Sequence, residues 1–266
     1  MHDAVTDKPR LSQAQFRTLQ DLIHARSGIT FHRGKQHLLE SRLAPRLAAL
    51  QMSDYEQYLA LLTAPEQGES EFQALCEQIT INETSFFRDA EQFDCLERYL
   101  LPELLQQRAA SRRLRIWSAA CSSGEEPYTF AILLHRLLGV RLSDWRIEIL
   151  GTDLSGRMLQ IAREGIYSAE TLRSTAAPIR RRYFEPLGER FRIDPQVASM
   201  VHFQEHNLLD GPAGAGFGEF DLVCCRNLLI YFDETMKQRC LECLSAHLAD
   251  DGCLLVGHSE KIGRAS

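Results

Sequence analysis

The stretch from Arg115 to Tyr128 constrains the fold more than any other part of the sequence. Its first residues, Arg115–Ala119, are β-branched, aromatic or small and predict a buried strand. Ala120–Gly124 has almost no side-chain bulk, which predicts a tight loop. Glu125–Glu126 suits the first turn of a helix, and Pro127 stands where its missing N–H costs least. The stretch therefore predicts a strand, a loop and a helix in close succession.

The same loop limits the kind of ligand that can bind there. A tight turn of small residues after a strand lets a ligand approach the backbone closely. The two acids that follow would repel a phosphate at the helix N-terminus, and they favour a cationic or hydroxyl-bearing ligand. This combination indicates a nucleoside ligand without phosphates. S-adenosylmethionine, a sulfonium that carries an amino group, fits this description.

Composition places the chain among ordinary globular proteins. Its 266 residues suffice for one large or two medium domains, and 44% are hydrophobic. The net charge of −6 gives no reason to expect nucleic acid as a partner. The N-terminus has no apolar segment of the signal-peptide type, and no apolar run approaches the ~20 residues of a membrane span.

The eight cysteines are scattered along the chain and do not have the spacing of a disulfide framework. Cys240 and Cys243 form a lone C-x-x-C within a helical pattern, without a second cysteine or histidine pair nearby. We interpret both as thiols rather than metal ligands and expect no metal site. These features predict a protein of the reducing cytoplasm.

The first part of the chain has the apolar spacing of an all-helical region. A helix over 11–27 is ended by Gly28, a second is predicted over about 35–50, and a fourth over 69–78. Ser53 and Glu56 form a capping box that predicts the start of the third. A long amphipathic helix is expected from about 89 to 108. We therefore predict a helical domain over 1–88, a linking helix over 89–110 and a second domain over 111–266.

Strands and helices alternate in the second domain, which predicts a mostly parallel sheet covered by helices. Strands are expected at 114–119, 146–151, 200–205, 220–225 and 252–257. Helices are expected at 126–138, 155–163 and 233–248. Ligands of such sheets bind at the carboxyl ends of the strands. The residues that stand there are Gly124, Glu125, Asp153, Asn207, Arg226 and Asn227.

One segment, at 168–199, interrupts this alternation. The residues after Tyr183 alternate in polarity and turn at Gly188, as in a small hairpin. We interpret the segment as an inserted antiparallel β-subdomain. An extended surface loop is the alternative.

Five segments together resemble the chemotaxis receptor methyltransferase (CheR) family. Ile79–Asp89, with the letters I-T-I-N-E-T-S-F-F-R-D, resembles the family element T-x-N-x-T-x-F-F-R-D/E. Residues 225–232, C-R-N-L-L-I-Y-F, resemble its C-R-N-x-x-I-Y-F motif. The remaining similar segments are 118–128, 151–155 and 257–260. Family members usually continue past the last motif into a final pair of strands, whereas this sequence ends at Ser266. Either the sequence is a shortened form or these strands are missing.

The resemblance implies an α/β fold: a class I methyltransferase (Rossmann-like) core with a small all-helical N-terminal domain and an inserted antiparallel β-subdomain. It implies transfer of a methyl group from S-adenosylmethionine to glutamate side chains of chemoreceptors, giving glutamyl methyl esters and S-adenosylhomocysteine. One alternative is a nucleic-acid or small-molecule methyltransferase, but the chain lacks the Asn/Asp-Pro-Pro-aromatic motif of amino-methylating enzymes. Another is a non-catalytic receptor-docking module that senses S-adenosylmethionine.

The resemblance also implies roles for residues around the methionine part of the cofactor. Asn82, Thr84 and Arg88 would contact this part, and Glu125 would either meet its amino group or neutralise the sulfonium side. Arg88 can also clamp a carboxylate with two hydrogen bonds. Tyr231 would lie nearest the transferring methyl group and orient the incoming carboxylate, so Arg88 and Tyr231 are the implied catalytic residues.

Further residues would bind the nucleoside part. Asp153 would accept hydrogen bonds from the ribose hydroxyls, although a helix-capping role is the alternative for this residue or its neighbour Ser155. The adenine and ribose pocket would be lined by Asn207, Leu208, Arg226 and Asn227.

Two basic regions stand out in an acidic chain. Lys35, Arg42 and Arg46 fall on one face of the second predicted helix, which is either an ordinary solvated face or, given the resemblance, a docking surface for an acidic receptor helix. Arg180–Arg182, Arg190 and Arg192 lie in the predicted β-subdomain. In some family members this subdomain binds a C-terminal peptide of the receptor by strand addition.

Overall fold

The computed structural model describes residues 9–31, 34–80, 82–211 and 216–260. The chain divides into two compact units, residues 1–81 with 231–236, and residues 82–230 with 237–266. None of the helices in these described ranges is long and apolar enough to cross a membrane.

The first unit is helical. Its first helix begins after a capping box of Ser12 and Gln15 and ends at Gly28, which is left-handed as the sequence predicts. His24 Nε2 lies 2.6 Å from the carboxylate of Asp233, which ties the 231–236 segment to this helix. The helices are α1 (Gln13–Ser27), α2 (Gln36–Ala49), α3 (Tyr55–Leu62) and α4 (Gly68–Ile79).

Apolar residues at helical spacing form the core of this unit. Helix α2 buries Leu39, Leu43 and Leu47, one per turn, and it packs against α4. The predicted capping box at the start of α3 is wrong by one residue. Asp54 is the N-cap, because its carboxylate accepts the backbone N–H groups of Glu56 and Gln57, at 2.9 Å each.

The second unit begins with a helical run. It consists of α5 (Ala90–Cys95), a π-helical turn (Leu96–Leu100) and α6 (Leu101–Gln107). The sequence predicts one uninterrupted helix here, and the π turn is the difference. Pro102 lacks the N–H that would bond back one turn, and its ring would meet the preceding carbonyl, so a wider turn fits at this point.

The strands and remaining helices follow the predicted alternation. The strands are β1 (Arg113–Ala119), β2 (Arg146–Asp153), β3 (Ile166–Ser168), β4 (Phe184–Leu187), β5 (Arg190–Ile193), β6 (Val201–Glu205), β7 (Phe220–Cys225) and β8 (Leu248–Val256). The helices are α7 (Glu125–Leu138), α8 (Gly156–Glu164), α9 (Ala177–Tyr183), α10 (Pro195–Ala198) and α11 (Glu234–Ser245). Short 3₁₀ turns occupy Gly139–Asp144, Glu170–Leu172, Leu208–Asp210 and Leu229–Tyr231.

The main sheet has the strand order β6-β2-β1-β7-β8, and all of its pairings are parallel. The chain runs outward from β1 through β2 to β6 and then returns to β7 on the other side of β1. The direction of winding therefore reverses between β1 and β7, which is where ligands bind in open α/β sheets. Strand β8 begins at Leu248, four residues before the predicted start at 252, because Leu248 already pairs with Phe220.

Two glycines allow β1, β2 and α8 to pack closely at this edge. Gly124 has φ +90°, and a Cβ there would lie 2.8 Å from the Cβ of Ala162 in α8. A Cβ at Gly151 would lie 2.8 Å from the ring of Phe203. Both distances are shorter than van der Waals contact, so the backbones could not approach this closely with larger residues.

The second sheet is small and antiparallel, with the order β3-β5-β4. The predicted hairpin is confirmed, with Gly188 at its turn in a left-handed conformation. Strand β3 begins at Ile166, before the predicted start of the insertion at 168. Its three residues are too short for an alternation pattern to show.

Candidate functional site

Three loops at the carboxyl edge of β1 and β7 have unusual backbone conformations. Left-handed φ values are uncommon outside glycine. Among the described residues that are not glycine, seven have positive φ, and five of these lie in the three loops: Phe87, Asp89, Ala120, Ser122 and Asn227. Such strained positions cluster at functional sites, and surrounding contacts must hold them in place.

Glu125 stands at the start of α7 with its side chain turned into the protein. Its exposed fraction is 0%. Its carboxylate accepts hydrogen bonds from the Ser123 hydroxyl at 2.8 and 3.0 Å, and no described residue forms an ion pair with it. Burial raises the pKa of Glu125 to about 7. The site therefore contains a desolvated acid without a cationic partner in the part of the chain that the structure describes.

Asp153 ends β2 and orients the small-residue loop. Its carboxylate accepts the backbone N–H of Ser122 at 2.8 Å and that of Ser155 at 2.9 Å. Burial raises the pKa of Asp153. Ser155 itself caps α8 through the N–H of Met158. Asp153 thus braces the loop beside β1, and each carboxylate oxygen keeps a further acceptor site.

Arg226 follows β7, and its guanidinium is buried, with 2% of the side chain exposed. It forms ion pairs with Asp89 at 2.7 Å and with Glu126 at 3.0 Å, and it donates to the carbonyl of Arg88 at 2.8 Å. Ser118 completes the network by donating to Glu126 at 2.7 Å. The guanidinium is thus engaged by the protein's own carboxylates, next to the segment that carries Arg88.

The segment that carries Asn82, Thr84 and Arg88 lies against the small-residue loop. The carbonyl of Asn82 is 3.4 Å from the Ser122 hydroxyl. Arg88 donates to the carbonyl of Glu83 at 2.6 Å, and Thr84 is half-buried. The predicted methionine-binding residues and the loop after β1 are therefore brought together.

Asn207 and Leu208 follow β6 beside Asp153. The backbone N–H of His206 donates to the carbonyl of Asp153 at 3.1 Å, which joins the ends of β6 and β2. Asn207 starts a 3₁₀ turn by accepting the N–H of Leu209 at 3.1 Å, and Leu208 is buried. The ring of His206 packs edge-on against that of Phe217.

The predicted docking cations differ in their surroundings. Arg46 forms a two-point ion pair with Glu71, which is 4% exposed. Arg42 donates to the carbonyl of Ile79. Lys35 is exposed at the start of α2. The face is thus partly used for packing within the helical unit.

Tyr231 belongs to the 231–236 segment of the helical unit, and it is half-buried at the end of a 3₁₀ turn.

Two residues that hold the site were missed in the sequence. The hydroxyl of Tyr167 in β3 donates to the carbonyl of Ser123 at 2.8 Å and so helps to fix the small-residue loop. Nothing in the sequence marks it, since β3 itself was not predicted. In the sequence Glu126 was interpreted through its place at the helix N-terminus. Its ion pair with the buried Arg226 has no local signal, because the two residues are distant in the chain.

Family models match almost the whole chain. The model described as "CheR methyltransferase, all-alpha domain" matches residues 14–80. The model described as "CheR methyltransferase, SAM binding domain" matches residues 82–266. The chain belongs to the CheR methyltransferase family. Its parallel-sheet unit is a class I methyltransferase core whose cofactor is S-adenosylmethionine, and the resemblance drawn from the sequence is confirmed.

Curated relatives agree with this assignment. The chain is 36% identical over 260 residues to the chemotaxis protein methyltransferase of Salmonella typhimurium, covering 96% of this chain and 86% of that protein. It is 35% identical over 246 residues to a probable chemotaxis protein methyltransferase of Rhizobium etli, covering 91% and 90%. The chemotaxis protein methyltransferase of Escherichia coli is 36% identical over 260 residues, covering 96% and 87%.

The Arg226 network predicts a large loss of stability when its cation is removed. Arg226→Met leaves the carboxylates of Asp89 and Glu126 without their partner, and breaking a buried pair costs about 3–5 kcal/mol. Arg146→Met is the matched control, since Arg146 is 73% exposed where it pairs with Glu148, and it should cost less than about 1 kcal/mol. Urea unfolding measures both values. Equal small losses would contradict the assigned role of Arg226.

Proposed function

We propose that this protein transfers the methyl group of S-adenosylmethionine to glutamate side chains of chemoreceptors, giving glutamyl methyl esters and S-adenosylhomocysteine for chemotactic adaptation. Membership of the family and the names of the relatives support this proposal. The proposed cofactor site rests mainly on Glu125, a buried carboxylate with no cationic partner among the described residues. An amino group on the bound nucleoside would supply that partner.

Methyl transfer to a carboxylate requires little proton transfer by the protein. The cofactor supplies an electrophilic methyl group on a sulfonium. A glutamate carboxylate is ionised at neutral pH, so an oxygen lone pair forms the new O–CH₃ bond while the S–CH₃ bond breaks and its electron pair stays on sulfur. No general base is needed. The protein's own residues must align the reactants, exclude water and balance charge.

The nucleoside would be held along the strand ends. Asp153 would accept hydrogen bonds from the ribose hydroxyls through its remaining acceptor sites. Asn207 would bond the adenine edge and Leu208 would cover the ring face. Asn227 would complete this pocket from the loop after β7.

The methionine part would lie over the small-residue loop. Glu125 would pair with its amino group, and Asn82 and Thr84 would flank it. Arg88 would clamp a carboxylate. Arg226, which donates to the carbonyl of Arg88, would hold this segment beside the nucleoside pocket that it helps to line.

The two remaining proposals concern the incoming receptor. Tyr231 would orient the receptor carboxylate by a hydrogen bond. The 1–88 helical region would recognise the receptor through Lys35, Arg42 and Arg46. Because Arg42 and Arg46 also have partners within the protein, Lys35 carries the most exposed of these charges. A receptor C-terminal peptide could be bound at a free edge of the small sheet, β3 or β4, by strand addition.

The first test measures the product of the reaction. Labelled S-adenosylmethionine is incubated with the protein and a chemoreceptor signalling fragment, and the labelled receptor is then treated with alkali. We expect volatile label released by base, because carboxyl esters hydrolyse under these conditions. Arg88→Ala and Tyr231→Phe should reduce the rate of incorporation while leaving the protein folded.

Other outcomes of this experiment contradict the proposal. Label that survives alkali would mean transfer to nitrogen or carbon and a different class of substrate. Cofactor binding without any labelling, tested on several receptor fragments, would favour a non-catalytic docking module.

The pKa of Glu125 predicts a pH dependence of cofactor binding. Below about 7 this acid is protonated in the free protein and cannot pair with an ammonium group, so binding must release its proton. The affinity for S-adenosylmethionine should therefore rise as pH increases from 5.5 to 7.5, by about tenfold per unit at the acid end. Titration calorimetry in two buffers of different ionisation enthalpy measures both affinity and proton release.

Two variants isolate this effect. Glu125→Gln should bind more weakly at pH 7.5 and lose most of the pH dependence. Glu91→Gln changes an exposed acid in the first turn of α5 and should behave like the unchanged protein. Affinity of the unchanged protein that does not vary between pH 5.5 and 7.5 would rule out the pairing of Glu125 with the amino group.

A further inference from the structure

A buried carboxylate fastens the loop after β7 to the end of β8. Glu260 is 8% exposed. Its carboxylate accepts the backbone N–H of Leu229 at 2.7 Å through one oxygen and that of Gly257 at 2.7 Å through the other. The carbonyl of Gly257 in turn accepts the N–H of Glu260 at 2.9 Å. One side chain thereby links two loops that are distant in sequence.

The Glu260 carboxylate packs closely against Gly257. A Cβ at Gly257 would lie 2.8 Å from Glu260 Oε2 and 3.3 Å from the backbone nitrogen of Asn227. Asn227 therefore sits directly against the turn that Glu260 closes. It is also left-handed, with φ +61°, a conformation that its contacts must maintain.

The chemistry of the contact indicates a positional role. Among the described residues no cation pairs with Glu260, so two amide donors alone compensate for burying the charge. Hydrogen bonds from N–H groups to a carboxylate are short and about twice as strong as neutral ones. They also fix both donors relative to one another, which a packing contact between apolar groups would not do.

We propose that Glu260 is a positioning residue for cofactor binding: by bonding the N–H groups of Leu229 and Gly257 it fixes the loop after β7 so that Asn227 faces the nucleoside pocket. This inference rests on the proposed function, because that function places Asn227 at the cofactor. Glu260 would act through Asn227 and not by contact with the reacting atoms.

Two substitutions at Glu260 test the role. Glu260→Ala removes both hydrogen bonds, and Glu260→Gln keeps the shape but turns an NH₂ group toward one of the two N–H donors. Each should raise the dissociation constant of S-adenosylmethionine roughly tenfold or more, as expected for a lost hydrogen bond to a charged group. Calorimetry at low temperature measures this on folded protein, with urea unfolding in parallel.

The chain offers a control of the same kind at the other end of β7. The buried carboxylate of Asp221 accepts the backbone N–H of Arg115 at 2.7 Å and pairs with Arg108. Asp221→Asn should lower stability as the Glu260 variants do, yet leave the cofactor affinity of the folded protein unchanged. Ser259→Ala, at an exposed neighbour of Glu260, should change neither property.

A double-substitution cycle shows whether Glu260 acts through Asn227. If it does, Glu260→Gln should weaken binding much less in an Asn227→Ala background than in the unchanged protein. Full additivity, or folded Glu260 variants that bind within twofold of the unchanged protein, would overturn the inference. Because only cofactor binding is measured, failure to methylate any receptor would count against the proposed function and not against this role. Absence of cofactor binding by the unchanged protein would overturn both.

Discussion

The buried guanidinium of Arg226 is the interaction on which the candidate site depends. It joins Asp89 before α5 to Glu126 in the first turn of α7 and also bonds the carbonyl of Arg88. Burying an arginine is unfavourable unless carboxylates balance its charge, and here Asp89 and Glu126 come from separate segments of the chain. The cost of burial therefore forces these loops into one arrangement, including the left-handed backbone at Phe87 and Asp89.

The small-residue loop after β1 is held in place differently, by hydrogen bonds from neighbouring side chains rather than by a buried charge of its own. Its small residues leave the backbone accessible to a ligand, and residues outside the loop fix its position. Asp153 binds the N–H of Ser122, and Tyr167 binds the carbonyl of Ser123. Gly124 lets the loop turn directly into α7 against α8. The loop is thus held at both ends next to the desolvated carboxylate of Glu125, which suits a reaction that needs alignment and charge balance more than proton transfer.

The parts of this architecture that could be predicted are those with local signals. The strand, loop and helix around Glu125, the sequence of strands in the main sheet, and the hairpin at Gly188 all follow from periodicity and turn residues. The family motifs also predicted which segments meet at the site. The π turn before Pro102 and the cap at Asp54 were missed or misplaced, because each is decided by local backbone competition that apolar spacing does not record. Strand β3 was missed because its three residues are too few to show alternation and are paired with the distant β5.

The roles of charged side chains could not be predicted in the same way. The sequence placed Arg226 in the nucleoside pocket and Arg46 on a docking face, without any sign that Asp89, Glu126 and Glu71 pair with them in the folded protein. A partner distant in sequence leaves no trace in the local pattern. Glu260 is a similar case, since its two donors, Leu229 and Gly257, come together only when β7 and β8 pair.

We propose that the cofactor's amino group is the ionic partner of the buried Glu125 carboxylate at the start of α7. A crystal structure of the protein with S-adenosylhomocysteine tests this pairing most directly. We expect this amino group within hydrogen-bonding distance of Glu125, the ribose hydroxyls at Asp153, and Arg226 still paired with Asp89 and Glu126. A ligand whose amino group binds elsewhere, with Glu125 still bonded only to Ser123, would contradict it.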